Sequence, residues 1–441
     1  MKKIIVLSLL VSIMIIGTVA CGKKEEGADN KVDEKKIENI EEAYESEIPA
    51  YETVGLTRPL YEEGDGGYQI CIQNTTREEF DTYANILETE GFTIYSKKEI
   101  SAGSAIADKN VFYTFTGKGI HIYLSWNPGM KVSRIIMTPE EKLPSLEKPE
   151  LEAGDTVVPS VTQMQLDGAG MMYVTQLADG KYIVIDGGVY GLEDTWRLRD
   201  YLIEHAPEGT KPTIACWMYT HADPDHIQLA TQFPEKYANE IEIESFAYNF
   251  PSENYVTTGN QNDATLVGAI KALLKNDRTY YPDAIHYQIH AGQTYYFKGV
   301  ELEILQTTEE FYPNTPNVWN DSSAAWRMKF DNGKTVLFLG DSQAVLCQQL
   351  EETYGDYMKS DVLQLAHHGL IGGDLELYQF IDPDICFWST DVERFNGTYS
   401  GYNHKYCLGE GGCTYNGYLR DSVLKKRTHY HNGQMGTVLM Q

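Results

Sequence analysis

An apolar run, Ile214-Ala215-Cys216-Trp217-Met218-Tyr219-Thr220, stops abruptly at His221-Ala222-Asp223-Pro224-Asp225-His226. No other stretch of the chain restricts the fold so tightly. The run predicts a buried strand, and the six residues after it predict the turn at the strand's end, where open α/β sheets gather their chemistry. That strand would deliver His221, Asp223, Asp225 and His226 together. Imidazole and carboxylate at this density suit a divalent metal such as Zn²⁺, which takes His nitrogen and Asp oxygen at roughly 2.0–2.2 Å. The plainer alternative is a solvated polar turn whose carboxylates pair with local donors.

Three more apolar runs end in polar residues. Val336-Leu337-Phe338-Leu339 leads into Gly340-Asp341-Ser342, and Val362-Leu363-Gln364-Leu365-Ala366 into His367-His368-Gly369. Ile385-Cys386-Phe387-Trp388 leads into Ser389-Thr390, with His404 further on. Gly-Asp after a strand is usually a turn, and paired histidines are often a surface accident. The conjunction of four such ends is the informative signal, because a sheet edge assembles a site from distant sequence in this way.

The rest of the chain sets the frame. Its 441 residues exceed one simple core and predict two folded domains plus extras. Lys2-Lys3, the apolar run Ile4 to Ile16 and Gly17-Thr18-Val19-Ala20-Cys21 have the form of a secretory signal, too short for a membrane span. Small residues before a cysteine resemble a bacterial lipoprotein signal, although Thr18 stands where that pattern has a larger apolar residue. The reading is a signal peptide over 1–20, lipid on Cys21 and a charged tether over 21–50, anchoring the protein to the outer side of the bacterial cell membrane. An ordinary signal peptide or an uncleaved anchor is the alternative.

Residues 51–142 read as a small α+β domain. Thr76 and Glu79 form a capping box for a helix through Glu88, followed by β runs at 92–95, 111–116, 120–126 and 132–137. Its one histidine, His121, reads as structural. Pro139 to Pro149 marks a linker to the larger unit, 150–441. The net charge of −28, from 64 acidic against 36 basic residues, repels polyanions and disfavours a nucleic-acid-coating role, while a metal site can still draw in a single phosphate. Cys71, Cys216, Cys347 and Cys386 read as buried small hydrophobes; Cys407 and Cys413 bracket a loop tight enough for a disulfide.

In this order the motifs resemble the metallo-β-lactamase fold superfamily, over about Gln165 to Gln441. The matching residues are Ile185-Asp186-Gly187-Gly188, the His221 cluster, Leu339-Gly340-Asp341 and Ala366-His367-His368-Gly369. Asp223, Ala291-Gly292-Gln293, Asn320-Asp321-Ser322-Ser323 before Arg327 and the double histidine are similar to the hydrolase domain of the ComEC-type competence protein. The resemblance implies an α/β fold, an αββα sandwich, with two divalent metals between its sheets. It puts His221 and Asp223 on the first metal, Asp225, His226 and one of His367 or His368 on the second, and Asp341 between them, with Asp186 ordering the loop behind. Zn²⁺ is the expected ion; Asp223 in place of a histidine also makes Mn²⁺ or Mg²⁺ credible. Two such ions polarise a substrate oxygen and bring a bound water's pKa down towards 7. Asp225 sits at that reacting centre, and His404 is the candidate to bind the substrate oxyanion or protonate the leaving group.

The chain departs from the pattern twice. Gln228-Leu229 stand where two glycines are usual, and no histidine motif is visible midway to Asp341; His286, His290, Asn320 and Asp321 are the candidates to fill that place. The leading expectation is a surface-anchored hydrolase of a small-molecule or cell-envelope phosphodiester. Hydrolysis of a lactam, lactone or ester is the second reading, and a non-catalytic surface lipoprotein with a degenerate metal site the third.

Overall fold

Alternation along short strands decides the layers of this molecule. The computed structural model describes residues 48–441 except 54–55, 58–60, 65–66, 169, 190–191, 254–263, 312–318, 371, 374, 397–419 and 422–423. Cys21, His404, Cys407 and Cys413 therefore lie outside the described residues.

The smaller domain runs β1 (Leu56–Thr57), β2 (Tyr61–Gly64), β3 (Gly67–Gln73), α1 (Arg77–Thr89), β4 (Thr93–Ser101), β5 (Lys109–Gly117), β6 (Ile120–Asn127) and β7 (Val132–Pro139). Its strands pair in the order β1-β3-β7-β6-β5-β4, with β2 beside β3, and every pairing is antiparallel. The capping box forms as expected: Glu79 N–H donates to Thr76 Oγ1 at 3.2 Å, and Thr76 N–H to the Glu79 carboxylate at 2.7 Å. Phe80, Tyr83, Ala84 and Leu87 then share one helix face and pack on Ile72, Phe115, Ile122 and Leu124 of the sheet.

The larger domain contributes β8 (Ser160–Gln163), β9 (Tyr173–Gln176), β10 (Tyr182–Ile185), α2 (Leu192–His205), β11 (Thr213–Met218), α3 (Pro224–Tyr237), β12 (Glu242–Ile243), β13 (Ser245–Tyr248), α4 (Ala264–Tyr280) and β14 (Ile285–Gln288). Next come β15 (Thr294–Phe297), β16 (Val300–Gln306), β17 (Ala325–Phe330), β18 (Thr335–Phe338), α5 (Ala344–Tyr354), β19 (Val362–Gln364), α6 (Leu375–Ile381), β20 (Ile385–Trp388), α7 (Val392–Phe395), β21 (Thr428–His431) and β22 (Gly436–Leu439). Two mixed sheets result, ordered β14-β13-β11-β10-β9-β8-β22, with β12 beside β11, and β15-β16-β17-β18-β19-β20-β21.

Successive side chains on a strand face opposite ways. Ile183, Ile185, Cys216 and Met218 of the first sheet therefore meet Trp326, Met328, Val336 and Phe338 of the second in one central core. Tyr182, Val184 and Trp217 point the other way, onto Leu198, Leu202, Phe233 and Leu273 of the helices. Leu337, Leu363 and Trp388 likewise pack outward with Leu350 and Leu377. The expected αββα sandwich is formed, and central strands such as β10, β18 and β20 are mostly apolar because both faces are covered.

One detail runs against expectation. His429 and His431, which their position near the C-terminus of the sequence alone marks as surface residues, lie on β21, the last strand of the second sheet, and the Trp388 indole N–H donates to His429 Nδ1 at 2.9 Å. Among the described residues no helix is long and apolar enough to cross a membrane.

Candidate metal centre

Parallel pairing aligns the strand ends that carry the chemistry. Ile185 pairs with Met218, so Asp186 and Thr220 emerge side by side from β10 and β11. In the second sheet Leu337 pairs with Leu363 and Gln364 with Phe387, which aligns the ends before Asp341, His368 and Ser389. The two edges face each other, and the side chains converge between them.

Asp186 is fully buried with φ of 52°, a left-handed conformation that costs a non-glycine residue about 1 kcal/mol or more. Its carboxylate accepts the Thr220 backbone N–H at 2.7 Å, the Thr220 hydroxyl at 2.6 Å and His226 Nδ1–H at 2.7 Å. With its hydroxyl proton turned to Asp186, Thr220 Oγ1 accepts His221 Nδ1–H at 3.0 Å. Both imidazoles are thereby fixed with Nε2 pointing into the site, the second-tier support that metal-bound histidines need.

The opposite edge is held the same way. The Asp341 backbone N–H donates to Ser323 Oγ at 2.9 Å, and Leu339 and Gly340 N–H both donate to Gln364 Oε1 at 2.8 Å. His367 and His368 both have left-handed φ, 48° and 58°. His368 Nδ1–H donates to Ser389 O at 2.6 Å, which directs its Nε2 to 3.0 Å from both Asp225 Oδ2 and Asp341 Oδ2.

Two groups of potential ligand atoms result, each mutually within 4.8 Å: His221, His226 and Asp341, and Asp225, His226 and His368. His226 belongs to both. Asp341 Oδ2 stands 3.3 Å from His226 Nε2 and 3.0 Å from His368 Nε2, a position between the triples. Within the site His221 Nε2, His226 Nε2 and Asp341 Oδ1 are buried with no hydrogen-bond partner among the described residues. Buried ligand atoms without hydrogen bonds cost several kcal/mol unless a cation takes them up, so these residues fit a divalent metal.

The electrostatics agree. Burial opposes protonation of His226 and His368, but Asp341, Asp186 and Asp225 outweigh it, raising His226 well above the ordinary histidine range and His368 to about 10. Burial would likewise raise Asp341, yet His226 and His368 hold it well below the usual carboxylate range. His221 goes the other way, lowered by burial and by His226. The centre gathers positive charge, and a metal would displace protons from His226 and His368. Asp223, pushed up to about 6 by burial and by Asp225, feels the same excess of carboxylates.

The remaining sequence candidates separate. Asp223, at the N-cap position of α3 with no side-chain capping bond, and His367, whose Nε2 is 4.0 Å from Asp341 Oδ2, join neither triple. His368 is thus the member of the pair that closes the centre. His286 lies against Tyr248 and Phe246, and His290 binds Glu309 beneath the smaller domain, so neither joins a triple. Asn320 and Asp321 form a short 3₁₀ turn whose successor, Ser323, holds Asp341 in place.

Gln228-Leu229 prove compatible with the fold. Leu229 is buried in the core, and the close approach of α3 to β10 is made at Gly187, where a Cβ would lie 2.7 Å from Ala230 N. Sequence reading assigned no individual role to Thr220, Ser323, Gln364 or Ser389, although Ser323 and Ser389 stood in its motifs. The only available signal was their position, one or two residues from a ligand or on the neighbouring strand.

No family model matches the chain, and no curated protein matches it. The solved structures it resembles include metallo-β-lactamase fold proteins. YhfI from Bacillus subtilis is 12% identical with a TM-score of 0.38, over 64% of this chain and 100% of that one. CmlA, a diiron β-hydroxylase from Streptomyces venezuelae, is 11% identical with a TM-score of 0.39, over 83% and 79%. The long form RNase Z from yeast is 10% identical with a TM-score of 0.32, over 52% and 36%. The chain spans 55% of a CmlA β-hydroxylase mutant. Likeness at this level says nothing about substrate; the site's own geometry must carry that.

Proposed function

We propose that this protein is a metal-dependent hydrolase of a phosphodiester, held at the outer face of a cell membrane by lipid on Cys21. The observation that carries the reading is the convergence of His221 Nε2, His226 Nε2 and Asp341 Oδ1, all buried and unpartnered among the described residues, beside the Asp225–His368 pair. His226 has one free ring nitrogen and would serve a single ion: with Asp225 and His368 it would hold one, while His221 and Asp341 would contribute to the other. A bound pair supplies Lewis-acid polarisation of a substrate oxygen and a water acidic enough to attack near neutral pH. The chain's part is orientation: Asp186 and Thr220 lock two imidazoles, and Ser389 locks the third. Asp225, 29% exposed, is the member of either triple most open to a reactant. A donor set of three imidazoles and two carboxylates favours Zn²⁺.

Elemental analysis of the purified chain, with turnover of bis-p-nitrophenyl phosphate and of ester and lactam substrates, tests the reading. About two metals per chain with phosphodiester cleavage, the cleavage and at least one metal being lost in His226→Ala, is the expected result. Metal with only ester or lactam turnover moves the activity to carboxyl chemistry, and absence of metal removes the enzymatic reading. Cys21→Ser releases the protein from membranes if the anchor is correct.

A further inference from the structure

The two domains meet along a slot remote from the metal centre in sequence and lined by neither triple. Phe112, Trp126 and Val132 of the smaller domain and Leu305, Leu350 and Tyr354 of the larger line it, around about 450 Å³ of space that is partly open solvent. Most polar groups at its rim are satisfied. Arg134 Nη2–H and Gln349 Nε2–H both donate to Glu310 O, at 2.9 and 2.7 Å, and the Tyr354 hydroxyl donates to Leu305 O at 2.6 Å.

Apart from Arg134, whose guanidinium has partners but also one nitrogen without a hydrogen bond among the described residues, two lining residues carry unsatisfied side-chain groups. Gln306, at the end of β16, is 2% exposed, and neither its Oε1 nor its Nε2 has a partner among the described residues. Trp126 is 5% exposed, and its Nε1–H is equally unpartnered. A buried amide or indole left unmet costs roughly 1–3 kcal/mol per group. Such an arrangement persists where another molecule completes it. The unmet set is specific: one acceptor and one donor side by side on Gln306, and one further donor on Trp126, between aromatic and aliphatic walls.

We propose that this interdomain slot binds a planar heterocycle presenting a donor and an acceptor on one edge, as a nucleobase does. A glutamine amide reads such an edge with two hydrogen bonds, the Trp126 N–H reaches a ring acceptor, and Phe112, Trp126 and Tyr354 supply π-faces. Because its walls come from both domains, the ligand ties the small domain to the hydrolase domain, which gives residues 51–142 a sensing role independent of the metal chemistry.

Titration calorimetry and saturation-transfer NMR on the full-length chain, with free adenine, cytosine and uracil as probes, test this. At least one base binds and raises the melting temperature; Gln306→Leu weakens it about tenfold, and Trp126→Phe, which keeps the ring but removes the N–H, by a smaller factor. Metal content is unchanged in both variants, which separates this test from that of the proposed function. Failure of all three bases to bind, or binding undiminished in Gln306→Leu, overturns the proposal. So does a Gln306→Leu protein that melts higher while no base binds, the signature of a slot filled by water alone.

Discussion

The two triples share His226 but are built differently. His221, His226 and Asp341 are all buried, and each is fixed from behind: Thr220 holds His221, Asp186 holds His226, and Ser323 holds the Asp341 backbone. Asp225 and His368 complete the other triple from elements on opposite sheets, with Asp225 partly open to solvent and His368 on a left-handed backbone. One side of the centre is a rigid, dry cradle; the other is a clasp between the two halves of the sandwich. A dry, preorganised site retains its ion, whereas an open one exchanges ligands and admits substrate.

The sharpest test of that contrast removes the shared ligand. His226→Ala removes the imidazole common to both groupings, and activity falls by about 10³-fold or more with loss of at least one metal, since the ions would supply several kcal/mol of transition-state stabilisation. Unchanged metal content and activity would break the picture of His226 as a ligand.

Single-triple variants come next. His221→Ala and His368→Ala each leave about one metal per chain by elemental analysis, but dialysis against a chelator strips the remaining ion faster from His221→Ala, which keeps only the clasp. Equal retention in both would erase the distinction. Asp186→Asn acts at one remove: it keeps the volume but loses acceptor strength behind His226 and the Thr220 relay, and lowers metal affinity about 10–100-fold with the fold intact by circular dichroism.

The smallest effect concerns His290, a buried histidine outside both triples. Burial disfavours its charge, but Glu309 and Glu141 beside it prevail and raise its pKa to about 10. A raised folded-state value means stability that is fully present below the ordinary histidine range near 6.5 and lost as pH climbs towards 10. Thermal melts of the parent therefore decline across pH 7–10, and His290→Gln flattens that limb without altering metal stoichiometry. A change in metal content would show that the triples are not insulated from the domain interface.

Legibility in the sequence followed periodicity and density. The apolar run before His221 and those before Asp341 and His367 announced buried strands, and the capping box at Thr76 marked the start of α1, because strand and helix signals are local. The choice of His368 over His367 was not legible. It rests on Ser389 O, twenty-one residues away, receiving His368 Nδ1–H. Nor was the part played by Thr220 visible, since a threonine before a histidine has no signature until the strand bearing Asp186 is laid beside it. His429 was misread because its partner, Trp388, belongs to a strand forty-one residues earlier.

The sequence by itself determined which residues could reach a metal and that doubly buried strands would carry them, since hydrophobic patterning and donor chemistry are properties of the chain. Only the tertiary structure decided which of them meet. It turned each imidazole by a hydrogen bond to a distant strand, placed His226 in both triples, and left Asp223 and His367 aside. It also brought Gln306 and Trp126 to the lining of one slot. A ligand's usefulness depends on orientation to within a fraction of an ångström, and orientation is set by contacts between segments far apart in sequence.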